Sequence, residues 1–203
     1  MSRYIVNAVG KGSYKSRGSK FFAFTQSVDS LDSYKHLISV YRSEYPESCH
    51  VCSAYRILVN QRLDEYASDD GEPKGSSGQP ILNQLKRHEL VNTATYVVRV
   101  FGGSLLGIPG LIDAYSSAAL LSIDDVKKST WKEKKIISFD YNYQQKRIVE
   151  SLIKEFSPEI IKHDFLEKIH IELSIESKKV DLFREKLKEL VAIRKLSKKY
   201  RNL

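Results

Sequence analysis

The segment Ser68-Asp-Asp-Gly-Glu-Pro-Lys-Gly-Ser-Ser-Gly-Gln-Pro-Ile-Leu82 places turn-forming residues, acids and hydroxyls directly before an amphipathic helical pattern. Asp70-Gly71 favours a tight turn, and Gly75 allows backbone angles that other residues avoid. We therefore expect a structured loop rather than a linker. At the start of the following helix, the range 76–78 would leave backbone amides facing a ligand, and such amides bind anions.

A second segment of the same design is Arg99-Val-Phe-Gly-Gly-Ser-Leu-Leu-Gly-Ile-Pro-Gly-Leu-Ile-Asp-Ala-Tyr-Ser116, in which a strand, a glycine-dense turn and a helix follow one another. Its glycines match neither the P-loop nor the dinucleotide-binding motif, so binding of a nucleoside triphosphate or a dinucleotide is not supported. They either let a strand turn tightly into a helix or form a seat for a phosphate group. Both interpretations stay open, and no cofactor is predicted.

Together with Lys20-Phe-Phe-Ala-Phe24 and His50-Val-Cys-Ser-Ala-Tyr55, these two segments resemble the IMPACT/YigZ family of translation-associated proteins. The resemblance extends over residues 19–122. Its most specific parts are the Asp-Gly-Glu-Pro-x-Gly and Phe-Gly-Gly-x-x-Leu-Gly cores. The architecture resembles the bacterial, YigZ-type branch of the family.

Three positions differ from the usual pattern of that family. Val100 stands where the family usually has a tyrosine, Pro109 where it has a glycine, and Asp113 where it has an arginine. The last difference removes a positive charge from the expected binding surface. We therefore do not carry a substrate over from better-known relatives to this chain.

The resemblance implies one binding surface, formed by both glycine-containing segments and the strand near His50. The candidate residues of this surface are Lys20, His50, Asp70, Glu72, Lys74, Ser76, Ser77, Arg99, Gly102 and Gly103. His50 could contact a ligand or be hydrogen-bonded beside the core. The acids of the first segment could bind magnesium or act as acid and base, but acids beside glycine and proline more often cap turns.

The spacing of apolar residues predicts the order β-α-β-loop-α-β-loop-α for the first part of the chain, which indicates an α+β sandwich of two layers. The resemblance sharpens this expectation to a fold similar to the second domain of ribosomal protein S5. For the rest of the chain, the spacing of apolar residues predicts a βαββα order, which is one strand short of a ferredoxin-like domain. Only the range 190–193 could supply the missing strand, and it could equally end the last helix.

Positive charge is concentrated in the C-terminal part of the chain. Residues 1–125 contain 13 Lys/Arg and 13 Asp/Glu, whereas residues 126–203 contain 20 and 12, so the whole net charge of +8 lies in the second range. We therefore predict two domains, 1–125 and 135–203, joined by a linker at 126–134. The candidate nucleic-acid-binding residues are Lys127, Lys128, Trp131, Lys134, Lys135, Lys198, Lys199 and Arg201. A solvated linker anchored by its tryptophan is the alternative.

Cys49-His-Val-Cys52 has the spacing of a redox or zinc motif. In a strand, however, the two thiols would point to opposite faces of the sheet. The sequence offers neither a second cysteine pair nor a histidine pair at zinc spacing, so no metal site is predicted. Two cysteines cannot form a disulfide scaffold, which agrees with a reducing compartment.

The sequence shows neither a signal peptide nor a run of about 18 uncharged apolar residues, so we expect a cytoplasmic protein without a membrane partner. The leading hypothesis is a non-enzymatic regulator or accessory factor of translation. It would bind RNA, the ribosome or a translation-associated protein, with no evident specificity for DNA. The alternative is a hydrolase acting on a phosphorylated or peptide substrate at the Asp-Gly-Glu-Pro loop, although no nucleophile elbow is present.

Overall fold

The chain divides into two compact units, Met1–Trp131 and Lys132–Leu203. The computed structural model describes residues 3–59, 62–192 and 200–201. Each unit has a hydrophobic core of its own. Val126 is buried in a core of the first unit, so this part of the predicted linker is built into that unit.

The described residues of the first unit form seven strands and three helices. The strands are β1 (Tyr4–Val6), β2 (Gly10–Ser16), β3 (Ser19–Ser27), β4 (His50–Val59), β5 (Arg62–Ser68), β6 (Thr93–Val100) and β7 (Lys128–Thr130). The helices are α1 (Leu31–Glu44), α2 (Gly78–Arg87) and α3 (Gly107–Asp124). Helix α1 begins after Ser30, which forms a reciprocal capping box with Ser33.

Five strands form an antiparallel sheet in the order β2-β3-β6-β4-β5, and β1 pairs separately with β7. Helices α2 and α3 cover one face of the sheet and α1 covers the other. The expectation of two layers is therefore wrong, because the sheet is buried on both faces. Central strand β6 explains this, since its first seven residues are all buried.

Strand β2 was not predicted because its sequence, Gly-Lys-Gly-Ser-Tyr-Lys-Ser, is polar and has two glycines. Those glycines let α3 approach the backbone of β2 closely. A Cβ atom at Gly10 would lie 2.0 Å from the carbonyl oxygen of Ser122, and one at Gly12 would lie 2.6 Å from the Ser122 nitrogen. The missing side chains are thus what allows helix and strand to pack.

The described residues of the second unit form a separate antiparallel sheet and two α-helices. Its elements are β8 (Lys134–Tyr141), α4 (Lys146–Phe156), β9 (Glu159–Phe165), β10 (Ile169–Glu176), α5 (Val180–Ala192) and β11 (Tyr200–Arg201). The strand order is β11-β8-β10-β9. Residues 190–192 end helix α5 rather than forming a strand, and the added strand is the short β11, which pairs with Phe139 and Ser138.

Candidate functional site at the two loops

Two loops leave the same end of the five-stranded sheet. We call residues 69–77, after β5, the acidic loop, and residues 101–106, after β6, the glycine loop. The register pairs His50 at the start of β4 with Arg99 near the end of β6, and Ser53 with Ser68 at the end of β5. The antiparallel order of the strands therefore brings both loops to one end of the unit.

Asp69 organises the acidic loop from within. Its Oδ1 accepts hydrogen bonds from the amide of Ser77 (3.1 Å), the hydroxyl of Ser77 (2.8 Å) and the amide of Gly78 (2.8 Å), while Oδ2 accepts one from the amide of Gly75 (2.7 Å). Burial alone would raise the pKa of Asp69, but these hydrogen bonds outweigh burial and lower it. The loop thus carries a bound anion of its own, the Asp69 carboxylate.

The expectation that the range 76–78 leaves free amides for an anionic ligand is therefore wrong at these positions. The amides of Ser77 and Gly78 donate to Asp69, and the amide of Ser76 donates to the carbonyl of Pro73 at 3.0 Å. Both serines are fully buried, and the Ser76 hydroxyl has no hydrogen-bond partner among the described residues. The start of α2 is capped by the protein itself.

Asp70 fixes the acidic loop to two other elements. One carboxylate oxygen pairs with Arg42 of α1, and the other accepts a hydrogen bond from the amide of Val51 at 2.6 Å. Asp70 adopts a left-handed backbone (φ 44°), and its carbonyl accepts a hydrogen bond from Nδ1 of His50 at 2.7 Å. This is the hydrogen bond beside the core that one of the two interpretations of His50 expects.

Glu72 and Arg99 form a buried ion pair. Glu72 Oε1 lies 2.6 Å from Arg99 Nη1 and accepts a hydrogen bond of 2.7 Å from the hydroxyl of Tyr115 in α3. Only 4% of the Glu72 side chain and 7% of the Arg99 side chain are exposed. Burial raises the pKa of Tyr115, and the neighbouring Cys52 and Glu72 raise it further. This network joins the acidic loop, β6 and α3.

The acids of the first segment are thus engaged inside the unit. Asp69 holds the loop amides, Asp70 holds Arg42 and β4, and Glu72 holds Arg99. The hydrolase alternative would require one of these carboxylates to exchange its partner within the unit for a substrate. Their clustering in the sequence is explained by loop structure.

The glycine loop needs its two adjacent glycines for different reasons. A Cβ atom at Gly102 would lie 1.8 Å from the carbonyl carbon of Gly18, and the Gly102 amide donates to the Ser19 hydroxyl at 3.1 Å. Gly103 instead has open space around it but adopts φ +85°. The glycine loop therefore packs closely against the turn before β3 at Gly102 and bends sharply at Gly103.

Beyond the buried network, the surface at this end of the sheet is basic and apolar. Lys20 and Lys74 are exposed, and neither forms an ion pair within the described ranges. Leu105 is 84% exposed, and the other large exposed apolar side chains of this region are Phe101, Ile108 and Ile112. A partner that offers acidic and apolar groups would complement this surface.

Local structure accounts for two of the three differences from the family pattern, those at Pro109 and Asp113. Pro109 lies in the first turn of α3, where a backbone N–H has no partner within the helix. Asp113 accepts a hydrogen bond from the Tyr14 hydroxyl at 3.1 Å, which raises the pKa of Tyr14. Val100 is the last residue of β6 and pairs with Lys20. Nothing in the structure explains why valine stands there.

The two cysteines lie in different environments. Cys49 is exposed, whereas Cys52 is fully buried, donates to the carbonyl of Asp69 at 3.1 Å, and has its pKa raised to about 12 by burial. Both are free thiols. Among the residues that the structure describes, no group of three or more His, Cys, Asp or Glu could hold a metal ion.

The predicted nucleic-acid-binding residues are divided between the two units. Lys127, Lys128 and Trp131 belong to the first, and Lys134 and Lys135 to the second. Lys128 lies 3.6 Å from Asp124, and Lys134 lies 2.8 Å from Glu159, so both are partly neutralised. Lys198 and Lys199 lie outside the described residues, and Arg201 is part of β11.

No helix within the described part of the chain combines the length and the apolar character that a membrane crossing requires.

The fold and the loops define the class: a two-unit α/β protein in which an acidic loop and a glycine loop meet at one end of an antiparallel sheet. The sequence pattern of the Impact N-terminal domain matches residues 17–123. An IMPACT family member of Haemophilus influenzae is 30% identical over 172 residues, which cover 84% of each chain. The chain belongs to the IMPACT family.

Two further comparisons extend over most of the chain. The IMPACT family member YigZ of Escherichia coli is 29% identical over 173 residues, with 83% of each chain covered. A solved structure described as that of a hypothetical protein has a TM-score of 0.70 and 26% identity, covering 93% of this chain and 92% of the other. Similarity therefore includes the second unit as well as the first.

Proposed function

We propose that this chain is a non-enzymatic, cytoplasmic factor of translation that binds RNA or ribosomal particles through its second unit. The family resemblance supports the link with translation. We also propose an S5-like fold for the first unit and a ferredoxin-like fold for the second. The order β11-β8-β10-β9 supports the latter, because it places the first and third strands of a βαββαβ unit side by side in the centre.

The distribution of charge in the second unit is the observation that carries this proposal. Residues 132–203 contain 18 Lys/Arg and 12 Asp/Glu. A surplus of cations attracts polyanions because binding releases the counterions that are condensed on a phosphate backbone. Five of these cations lie in the range 194–201, whose side chains are outside the described part of the structure, so residues 132–193 carry 13 Lys/Arg and 12 Asp/Glu.

The open face of the second sheet is balanced in charge. His170 lies between Asp140 (2.6 Å) and Glu172 (3.4 Å), and Lys162 lies 2.7 Å from Asp164. The hydrogen bond with Asp140 raises the pKa of His170, although burial opposes this change. A face with this many paired carboxylates is a poor match for RNA phosphates.

Helices α4 and α5 are nearly balanced overall, with six Lys/Arg and five Asp/Glu, but four of their cations have no carboxylate partner in the described ranges. Arg147 and Lys154 of α4 and Arg184 and Lys188 of α5 are exposed, and none of these four forms an ion pair in the described ranges. We propose that RNA contacts this helical side. The lysines predicted from the sequence, Lys127, Lys128, Lys134 and Lys135, together with Lys198, Lys199 and Arg201, would bind further phosphates.

The first unit would supply selectivity through its basic and apolar surface at the two loops. Lys20, Lys74 and the exposed Leu105 are the residues that we propose to face a translation-related protein. His50 supports this surface indirectly by holding the backbone of Asp70. Gly102 and Gly103 shape its rim.

The proposal predicts a salt-dependent affinity for RNA that falls when the helical cations are removed. Replacing Arg147, Lys154 and Lys188 by glutamine should flatten the plot of log affinity against log salt by about 0.7 to 0.9 for each phosphate that the variant no longer binds. The measurement is a titration of the full chain with a labelled single-stranded RNA at several salt concentrations. The same change at Lys127, Lys128, Lys134 and Lys135 is expected to act in the same direction.

The matched control replaces Lys132, Lys162 and Lys179 by glutamine. Each of these lysines is already paired with an acid, so the net charge changes equally while the helical side stays intact. The control should keep most of the salt slope. An equal loss in both variants would mean that only net charge matters, and the absence of salt-dependent binding to RNA or ribosomes would refute RNA binding and favour a protein partner.

A further inference from the structure

A pocket with a volume of about 700 Å³ lies in the first unit, at the end of the sheet opposite to the two loops. It is lined by Arg3, Arg56, Leu63, Lys86, Glu89, Val91, Thr130 and Trp131. Arg56 pairs with Thr93 at the start of β6, whereas the two loops lie near its end. The volume is within the range of pockets that take small ligands.

Trp131 forms an aromatic wall of this pocket. Its amide donates to the carbonyl of Arg3 at 2.7 Å, which continues the pairing of β1 with β7 and holds the residue in place. The guanidinium carbon of Arg3 lies 5.8 Å from the centre of the indole ring. The indole is only partly buried, so it keeps surface for a flat ligand.

The cationic side of the pocket is held in place by the protein. Arg56 is only 13% exposed and donates to Glu65 at 2.9 Å and to the carbonyl of Leu90 at 2.9 Å. Lys86 lies 2.6 Å from the other oxygen of Glu65 and is 43% exposed. With Arg3, three cations line the pocket, two of them paired with Glu65, and Leu63 and Val91 add apolar lining.

Glu89 adds an acceptor at the C-terminal end of α2. It adopts a left-handed backbone (φ 52°), a conformation that favours glycine. The amide of the next residue, Leu90, donates to the carbonyl of Leu85 at 3.0 Å, as in a helix-ending Schellman turn. A carboxylate at this position can accept hydrogen bonds from an amino or hydroxyl group of a ligand.

We propose that this pocket binds a nucleotide unit, with the base stacked on Trp131 and the phosphate near Arg3 and Lys86. Stacking of bases on aromatic side chains is a general means of binding single-stranded nucleic acids. Glu89 accepts from the amino group of the base or from a ribose hydroxyl. The unit is part of a single-stranded RNA or a free mononucleotide. The site goes beyond the proposed function because it does not involve the helical cations of the second unit.

The chain offers a direct readout, because Trp131 is its single tryptophan. The full chain is titrated with oligoadenylate RNA, with AMP and with inorganic phosphate, and the indole fluorescence is followed. Stacking should quench the fluorescence in a saturable way with RNA or AMP but not with phosphate. Quenching by the oligonucleotide alone assigns the site to RNA, and equal affinity for AMP assigns it to a free nucleotide.

Three variants test the geometry. Arg3→Gln and Lys86→Gln should each weaken binding about tenfold, in line with loss of a hydrogen bond to a charged group, while Lys35→Gln on the exposed side of α1 should change nothing. With a labelled RNA, Trp131→Phe should retain more affinity than Trp131→Ala.

Replacing Arg147, Lys154 and Lys188 should leave AMP binding unchanged, which separates this site from the proposed function. The absence of saturable quenching by either nucleotide probe would overturn the proposal. So would equal affinities of Lys86→Gln and Lys35→Gln.

Discussion

Replacing Gly102 by alanine is expected to lower the free energy of unfolding of the first unit by about 3 kcal/mol, at the upper end of typical overpacking effects. A methyl group at this position would lie 1.8 Å from the Gly18 carbonyl carbon and 2.1 Å from the Ser19 amide nitrogen. Both neighbours are backbone atoms, which cannot rotate away as a flexible side chain can. The glycine loop and the turn before β3 would have to separate.

The neighbouring Gly103 is the matched control for this change. Gly103→Ala meets no atom within 4 Å, so its cost is limited to the left-handed backbone, about 1–2 kcal/mol. Urea unfolding followed by Trp131 fluorescence measures both variants, because Trp131 belongs to the first unit. Equal destabilisation by the two substitutions would contradict the close packing of the glycine loop.

Glu72→Gln should have the other large effect, a loss of about 3–5 kcal/mol, since it leaves the Arg99 guanidinium buried without its carboxylate. The hydrogen bond from Tyr115 would also weaken, because an amide oxygen is a poorer acceptor than a carboxylate. The same urea titration gives the free energy of unfolding. Adding Arg99→Met to the variant should recover a substantial part of the loss, because no unpaired charge remains.

The control for the buried pair is Asp124→Asn, which removes an exposed carboxylate 3.6 Å from Lys128. Exposed pairs contribute about 0–1 kcal/mol, so this variant should unfold almost as the unchanged chain does. If Glu72→Gln were no more destabilising than Asp124→Asn, the pair with Arg99 would not be a structural element of the site.

Much of the fold could be predicted from local sequence signals. Ser30 before an apolar helical pattern marks the start of α1, and the segments after Ser68 and Arg99 were correctly expected to turn and enter helices. The third layer was missed, although β3 contained its signal. Phe21 packs on the α3 side of the sheet and Phe24 on the α1 side. Apolar residues at both odd and even positions of this strand therefore indicate that both faces of the sheet are buried.

The arrangement of the site depended on information that the local sequence does not contain. The Asp-Gly-Glu-Pro pattern predicted a structured loop, but the pairing of Glu72 with Arg99 connects residues 27 positions apart. Tyr115 joins that pair from a third element and had no distinguishing signal. The role of Asp69 as a cap agrees with the sequence expectation, because acids beside glycine and proline commonly accept hydrogen bonds from nearby amides.

The nucleotide pocket was equally hidden in the sequence. Trp131 stands beside a run of lysines in the sequence, but its indole ring lies beside Arg3, which is almost at the other end of the first unit in sequence. The pairing of β1 with β7 brings these two residues together. Of these two strands, only β7 is close to Trp131 in sequence. It has three residues, which are too few to show the alternation of apolar and polar residues that identifies a strand.

Crosslinking in living cells, followed by identification of the RNA and proteins attached to the full chain, tests the association with translation most directly. The account predicts recovery of ribosomal or other translation-associated RNA together with translation-related proteins. It also predicts a marked reduction of the RNA fraction when Arg147, Lys154 and Lys188 are replaced by glutamine. Recovery of neither translation-associated RNA nor translation-related proteins, or an RNA fraction unchanged by these replacements, would contradict it.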